Sequence, residues 1–144
     1  MADSDFKENS QAVQSHLAIL QSIIQRMAAN SSSSKTWCIT LVSAMLVIVA
    51  DKGKPQYALL ALIPTVLFLF LDAYYLGLER GFRNAYNAFI AKLHRGALHP
   101  EDLFVVVPQG GILCLFFSAL RSFSVWPFYG TLAVMVCVAT KIVS

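Results

Sequence analysis

The stretch Pro55–Leu93, PQYALLALIPTVLFLFLDAYYLGLERGFRNAYNAFIAKL, decides the fold. Up to Leu71 it is almost wholly apolar, and after Asp72 it continues without a break into a segment that is polar on one side only. As one helix, about 39 residues at a rise of ~1.5 Å make a rod of roughly 58 Å, nearly twice the ~30 Å hydrocarbon core of a bilayer. The stretch therefore predicts a membrane helix with a long extension outside the bilayer.

The composition favours lipid as the solvent of the chain. Of the 144 residues, 57% are hydrophobic and 13% are charged, and the net charge is only +3. Ordinary soluble domains carry roughly 25% charged residues. The first 35 residues contain acids and no early apolar run with a cleavage site, so no secretory signal is expected. We expect a single all-α membrane module.

No motif in the sequence points to catalysis. Cys38, Cys114 and Cys137 are widely spaced in apolar runs, which is typical of packing residues in a reducing compartment rather than of metal ligands. Phosphate loops, zinc signatures, nucleophile elbows and paired carboxylates are all missing from the sequence. We therefore expect neither an enzyme nor a bound cofactor or metal.

Residues 5–29 predict an amphipathic N-terminal helix, with Asp5 and Glu8 resembling a capping pair. Its apolar stripe recurs at heptad spacing. Membrane-surface helices usually carry Lys and Arg on the polar face, whereas this face is mainly Gln and Ser. The stripe is therefore expected to pack against another helix. Its members are Val13, Leu17, Leu20, Ile24 and Met27.

The next segments predict a transmembrane hairpin. The run Asn30–Ser34 favours a flexible joint over the alternative, the capping region of the next helix, although a few serines can also continue a helix. Residues 36–50 form the first span, and residues 56–71 form the second. Within the second span Pro64 removes one backbone hydrogen bond, which indicates either a gating hinge or a bend that helps packing.

Asp72 requires a partner, because a carboxylate near the membrane is costly unless it is paired or hydrated. The hairpin turn centres near residues 53 and 54, so position 72 should lie at the depth of Lys35. We expect a Lys35–Asp72 ion pair that clamps the two helices at the cytoplasmic interface. Tyr74 or Tyr75 is the alternative partner, and an ion or proton site is the alternative role.

Beyond Asp72 the long helix presents a second apolar seam, which the N-terminal helix would most simply cover. Its members are Tyr75, Leu78, Phe82, Tyr86, Phe89 and Leu93. The other side carries a basic face formed by Arg80, Arg83, Lys92 and Arg95. These basic residues could contact acidic lipid headgroups or RNA, but the simpler explanation is that they mark the cytoplasmic side of the membrane. By the positive-inside rule the N-terminus and residues 77–110 are cytoplasmic.

The C-terminal part contains two apolar segments. Residues 112–120 are too short to span and predict an interfacial helix, whereas residues 124–143 are long enough for a third span. A re-entrant hairpin of residues 112–142 is the alternative. The chain thus divides into residues 1–35, the hairpin 36–76, the cytoplasmic extension 77–110 and the membrane part 111–144.

Two motifs carry a family resemblance: QRMAANSSSSKTW before the first span, and LDAYYLGLERGFRNAYN after the second. They resemble the RipA-type octameric proteins of the bacterial inner membrane, and the layout is similar to the two-span SLATT effectors of phage-defence operons. Asn84-Ala85-Tyr86 departs slightly from the family's pattern. The resemblance implies membrane location and octameric assembly, but it supplies no mechanism.

These observations lead to an expected function. Unpaired seams favour a closed homo-oligomeric ring, held in the membrane by packing of small residues such as Ser43, Ala44, Ala58 and Ala61. We expect a pore-forming or membrane-perturbing effector in phage defence or stress. The alternative is a non-conducting scaffold that recruits a cytoplasmic partner encoded in the same operon, and a transporter is third. The expected partners are copies of the chain and lipid, and no specific nucleic acid.

Overall fold

The structure, a computed structural model, describes residues 10–143. It is all-helical over this range, with four α-helices: α1 (Gln11–Lys52), α2 (Leu62–His94), α3 (Ile112–Leu120) and α4 (Trp126–Val143). Two short 3-10 helices, Pro55–Ala61 and Pro100–Asp102, stand before α2 and in the loop that follows it. The Asp5–Glu8 capping pair lies outside the described residues.

Helix α1 is one continuous helix of 42 residues, so the flexible joint expected at Asn30–Ser34 is wrong. Ser10 caps its start by accepting a hydrogen bond from the Val13 amide at 3.3 Å, and Gly53 ends it in the left-handed conformation. No Gly or Pro interrupts the sequence between these caps. Serine lowers helix stability only modestly per residue, and packing against α2 outweighs that preference.

The second long helix begins later than the sequence suggests. Residues Pro55–Ala61 form a 3-10 helix, and the α-helix begins at Leu62. Pro64 therefore lies in the first turn of α2, where a missing amide costs little because first-turn amides have few intrahelical partners. The sequence suggested a bend within the second span at Pro64. The structure instead shows a change from 3-10 helix to α-helix at Leu62, just before this proline. A hinge function for Pro64 stays a prediction.

Helices α1 and α2 lie side by side over most of their lengths and define two layers. We call residues 36–71 and 125–143 the apolar layer, and residues 10–35 and 72–111 the polar layer. Each layer has its own core. The apolar-layer core joins Cys38, Val42 and Ala61 to Val125, Tyr129, Leu132 and Val136. The polar-layer core joins Val13, Phe89 and Leu98.

Helix α3 packs against two glycines of α2 beside the junction of the layers. A Cβ atom on Gly77 would lie 3.3 Å from the backbone of Leu115 and Phe116, and one on Gly81 would lie 2.8 Å from the Pro108 Cβ. Glycine is needed at both positions because the two chain segments approach so closely. The spacing of Gly77 and Gly81, small-xxx-small, is the pattern that lets helix backbones come together.

Helix α4 runs along the hairpin in the apolar layer. The Tyr129 hydroxyl, near its start, donates to the Phe68 carbonyl at 3.1 Å, and the helix packs further along against the 3-10 helix before α2. Helix α4 is therefore antiparallel to α2, and its C-terminal end lies on the side of the hairpin turn. Helices α3 and α4 do not form a hairpin within one layer.

The two long helical segments, Gln11–Lys52 and Pro55–His94, are long and apolar enough to cross a membrane. Within the most apolar window of each segment, only 22% is buried inside the protein. A core helix of a soluble protein would be mostly buried. The exposed side chains include large apolar residues of both helices, namely Trp37, Val47, Ile48, Ile63 and Leu67.

Candidate functional site: a buried ion pair between the two layers

Asp72 is fully buried and is held by two residues of α1. Lys35 Nζ lies 2.7 Å from Asp72 Oδ2, so the ion pair expected from the sequence is present. The Ser31 hydroxyl donates to Asp72 Oδ1, and Lys35 Nζ also donates to Ser31 Oγ at 3.4 Å. These contacts tie α1 to α2 at the boundary between the layers.

The sequence analysis did not name two of the residues near Asp72, Ser31 and Tyr129. Tyr74 and Tyr75, the alternative partners, meet edge to face with ring centroids 5.7 Å apart and do not bind Asp72. Tyr129 of α4 instead places its hydroxyl near the Asp72 carboxylate. Ser31 was readable in principle, because it precedes Lys35 by one helical turn and so shares its face. The position of Tyr129 could not be predicted, because nothing in the sequence indicates how α4 is aligned along the two long helices.

The site has the chemistry of a structural clamp. Asp72 has no accessible surface, and the Lys35 side chain is 20% exposed, so the pair reaches water only through the ammonium side. A paired carboxylate in such surroundings stays in place because removing either charge would leave the other buried and unpaired. Among residues 10–143, no cluster of three or more His, Cys, Asp or Glu side chains could hold a metal ion.

The two predicted seams lie at or near the interface between α1 and α2 in the polar layer. Val13, Leu20, Met27 and Phe89 are buried. The remaining members, Leu17, Ile24, Tyr75, Leu78, Phe82, Tyr86 and Leu93, are half-buried. Across this interface the Gln21 side-chain amide donates to the Tyr86 hydroxyl at 3.4 Å. The chain thus covers its own seams in part, and the half-buried members leave apolar surface at their edges.

The basic face is largely engaged within the chain. Arg80 donates to the hydroxyls of Ser118 and Ser122, both at 2.9 Å, and so fastens α3 and the turn after it to α2. The other three members also have partners: Arg83 pairs with Glu79 at 2.7 Å, Lys92 pairs with Asp102 at 2.7 Å, and Arg95 donates to the Ala91 carbonyl at 3.0 Å. The carboxylates of Glu79 and Asp102 offset the charges of Arg83 and Lys92, whereas Arg80 and Arg95 donate to neutral groups and keep their net charge.

A second polar contact, which the sequence analysis missed, lies in the polar layer. His16 is 1% exposed, and its Nδ1 accepts a hydrogen bond from the Phe104 amide at 2.9 Å. Its ring lies against Phe89, with centroids 4.3 Å apart. Burial lowers the pKa of His16 from its usual value, although the nearby Asp102 carboxylate acts in the opposite direction. The sequence did contain a signal for this contact, because His16 is a polar residue beside the apolar heptad stripe of α1.

Helix α1 also presents a stripe of hydroxyl-bearing residues on its exposed face. The hydroxyls of Thr36 and Thr40 donate to carbonyls four residues earlier, at 3.3 Å and 2.8 Å. By contrast, Ala58 and Ala61, expected to mediate association between copies, are fully buried within the chain. Ser43 and Ala44 are exposed. The stripe, called here the hydroxyl stripe, comprises Ser32, Thr36, Thr40 and Ser43.

Comparisons with protein-family models, with curated proteins and with solved structures find no match for this chain. The functional argument therefore rests on the geometry of the chain itself.

Proposed function

We propose that the protein is an integral membrane protein that assembles with copies of itself and thereby permeabilises the membrane. The observation that carries the proposal is the exposure of the apolar layer: most of each apolar window lies on the surface of a single chain. Water would solvate such a surface poorly, whereas lipid or neighbouring copies would cover it. On this proposal the apolar layer spans the bilayer and the polar layer lies on the cytoplasmic side of a bacterial inner membrane.

The hydroxyl stripe supports the permeabilising part of the proposal. Its four members lie within an arc of roughly 80° on one face of α1, at about 100° per residue. Exposed residues elsewhere around the same helix, such as Trp37 and Ile48, are large and apolar. In a closed ring of copies, the stripe would face the central axis and the apolar residues would face lipid.

Helix α4 completes the membrane part in this proposal. It packs on the hairpin as a helix of 18 residues, about 27 Å long at ~1.5 Å per residue. That length is close to the ~30 Å hydrocarbon core. With α4 as a third span, the C-terminus lies on the side opposite the polar layer. A reporter enzyme that works only in the periplasm should therefore be active when fused to the C-terminus, and an inactive fusion would contradict a third span.

Ion leakage from liposomes tests the proposal. Purified protein reconstituted at rising protein-to-lipid ratio should release entrapped K⁺ with a steep dependence on protein density, because assembly precedes permeation. Thr36→Leu together with Thr40→Leu should reduce the leak, since leucine makes the stripe apolar. The matched control, Leu41→Ile with Ile48→Leu, changes exposed apolar residues on the opposite side of the same helix and should leave the leak unchanged.

A non-conducting scaffold is the second candidate, and one observation favours it. The Thr36 and Thr40 hydroxyls are already satisfied by carbonyls of their own helix, so their face can pack against lipid or another helix without water. A scaffold would show self-assembly, no leak at any density, and a soluble protein that co-purifies through the polar layer. The role in defence or stress rests only on the family resemblance and is proposed on that basis.

A further inference from the structure

We propose that the loop of residues 97–111 is a lid on the polar layer that opens when His16 becomes protonated. Polar contacts hold the loop to α1 and α2 at His16, at Lys92 and at Gln109. The Phe104 amide donates to His16, and Asp102 pairs with Lys92. The Gln109 amide donates to the Gly81 carbonyl at 2.9 Å, and the Gln109 carbonyl accepts from the Asn84 side chain at 3.3 Å. Of these contacts, only the hydrogen bond to His16 involves a side chain whose charge ordinarily changes between about pH 5 and 8.

The contact at His16 depends on a neutral ring. Nδ1 accepts a hydrogen bond from the Phe104 amide, so this nitrogen must carry a lone pair and no proton. A protonated imidazole has a hydrogen on both nitrogens, and its Nδ1 would then face the Phe104 amide as a second donor. The hydrogen bond would be lost, and a positive charge would be left in a site with almost no exposure.

The backbone conformation of Phe104 also favours movement of the loop away from α1 once the hydrogen bond to His16 is lost. Its φ is +62°, a left-handed conformation that is unusual for a bulky residue that is not glycine. Such a conformation persists only where surrounding contacts hold it, and the hydrogen bond to His16 is one such contact. The Phe104 side chain itself is mostly exposed, so burial of its ring does little to retain it.

The loop covers an open cavity of about 230 Å³. Leu20, Ala85, Ala88 and Phe89 form its helical wall, and Val105 and Val107 line it from the loop. Opening the lid would expose this apolar wall, which belongs to the seam between α1 and α2. The consequence would be a new apolar surface on the polar layer at mildly acidic pH.

The other charged groups near His16 do not substitute for it. On α1, the residues from Gln11 to Leu20 carry no other charge. On α2, Lys92 lines the same cavity, and on the loop Glu101 and Asp102 line it. Hydrogen bonds from Lys92 and from the His99 amide lower the pKa of Asp102, so this carboxylate stays ionised throughout the relevant pH range. His94 and His99 are the other two histidines of the chain, so variants at both positions serve as controls.

The sign and size of the effect follow from linkage. Because the closed lid favours neutral His16, its contribution is complete above the ordinary histidine pKa of about 6.5 and decreases as the pH falls below that value. If the ring titrates normally only when the lid is open, the opening equilibrium rises by up to about tenfold between pH 7.5 and 5.5. The inference concerns the resting protein and does not depend on permeabilisation.

Amide hydrogen exchange of the reconstituted full chain tests the lid, with each rate divided by its intrinsic rate at that pH. We expect protection of residues 101–107 to fall several-fold between pH 7.5 and 5.5, while residues 62–72 stay unchanged. His16→Asn should abolish this dependence, because the Asn Oδ1 can accept from Phe104 at any pH. His94→Asn with His99→Asn should retain it.

Three results would overturn the inference. These are constant protection in the wild type, equal loss of protection in residues 62–72, and disappearance of the pH dependence in the His94→Asn, His99→Asn variant. The last comparison remains decisive even if His16→Asn fails to fold.

Discussion

At the scale of single residues, the Asp72 carboxylate holds the two long helices in register. It has no contact with water, and its partners Ser31 and Lys35 both come from α1. A buried ion pair does not by itself make a protein more stable than apolar packing would, but breaking one half of it is costly. If the pair is a structural clamp, losing one partner should therefore destabilise the fold strongly. If the pair served only to bind a ligand, its loss would leave stability nearly unchanged.

Removing one partner of the pair should therefore destabilise the protein more than removing both. Lys35→Ala or Asp72→Ala alone should lower the free energy of unfolding by about 3–5 kcal/mol, because an uncompensated charge remains buried. The double variant should lose less than the sum of the two. Unfolding in detergent measures all three, with Lys52→Ala at the exposed turn as the control, where about 0–1 kcal/mol is expected. Single variants as stable as the wild type would show that no clamp exists.

Neighbouring serines should respond in opposite directions to the same substitution. Ser31 donates to buried Asp72, so Ser31→Ala should cost about 1–3 kcal/mol by leaving part of the carboxylate unsatisfied. Ser32 and Ser33 are exposed, and alanine there should stabilise α1 by up to ~0.5 kcal/mol each through helix propensity. Thermal unfolding compares the variants. A stabilising Ser31→Ala would contradict the hydrogen bond to Asp72.

At the scale of elements, the sequence predicted helices well and their junctions poorly. Hairpin geometry placed Lys35 beside Asp72, because two antiparallel helices joined by a short turn have a register that can be counted from the turn. The joint at Asn30–Ser34 was wrong because local preference was weighed without the packing of α2, which keeps the chain helical there. The docking of α3 on Gly77 and Gly81 was missed, although their spacing was visible in the sequence.

The glycine pair should tolerate no larger side chain. Gly81→Leu would place atoms where Pro108 and Leu115 now lie, and such overpacking typically costs about 1–3 kcal/mol. Hydrogen exchange in residues 108–120 should therefore accelerate, while exchange in α1 should change little. Ala91→Leu, at an exposed position of the same helix, is the matched control. Unchanged exchange in residues 108–120 of Gly81→Leu would show that α3 does not depend on this contact.

At the scale of the whole molecule, the two layers differ in what covers them. The polar layer covers its seams in part by packing them against each other, lays the loop of residues 97–111 along one side, and holds Arg80, Arg83 and Lys92 by contacts within the chain. The apolar layer, by contrast, leaves large side chains of α1 and α2 on the surface. Sequence reasoning anticipated this contrast from composition and periodicity. It had no means of showing which face of α1 stays free, because that depends on where α4 packs.

The most direct test of the proposed function is a cryo-EM reconstruction of the purified protein in lipid nanodiscs. We predict a closed ring of copies, with the apolar layer inside the lipid and the polar layer on one side of it. The face of α1 that carries Ser32, Thr36, Thr40 and Ser43 should point to a central passage. A monomeric particle, or a ring whose axis is sealed while this face contacts lipid, would contradict the proposal of a permeabilising assembly.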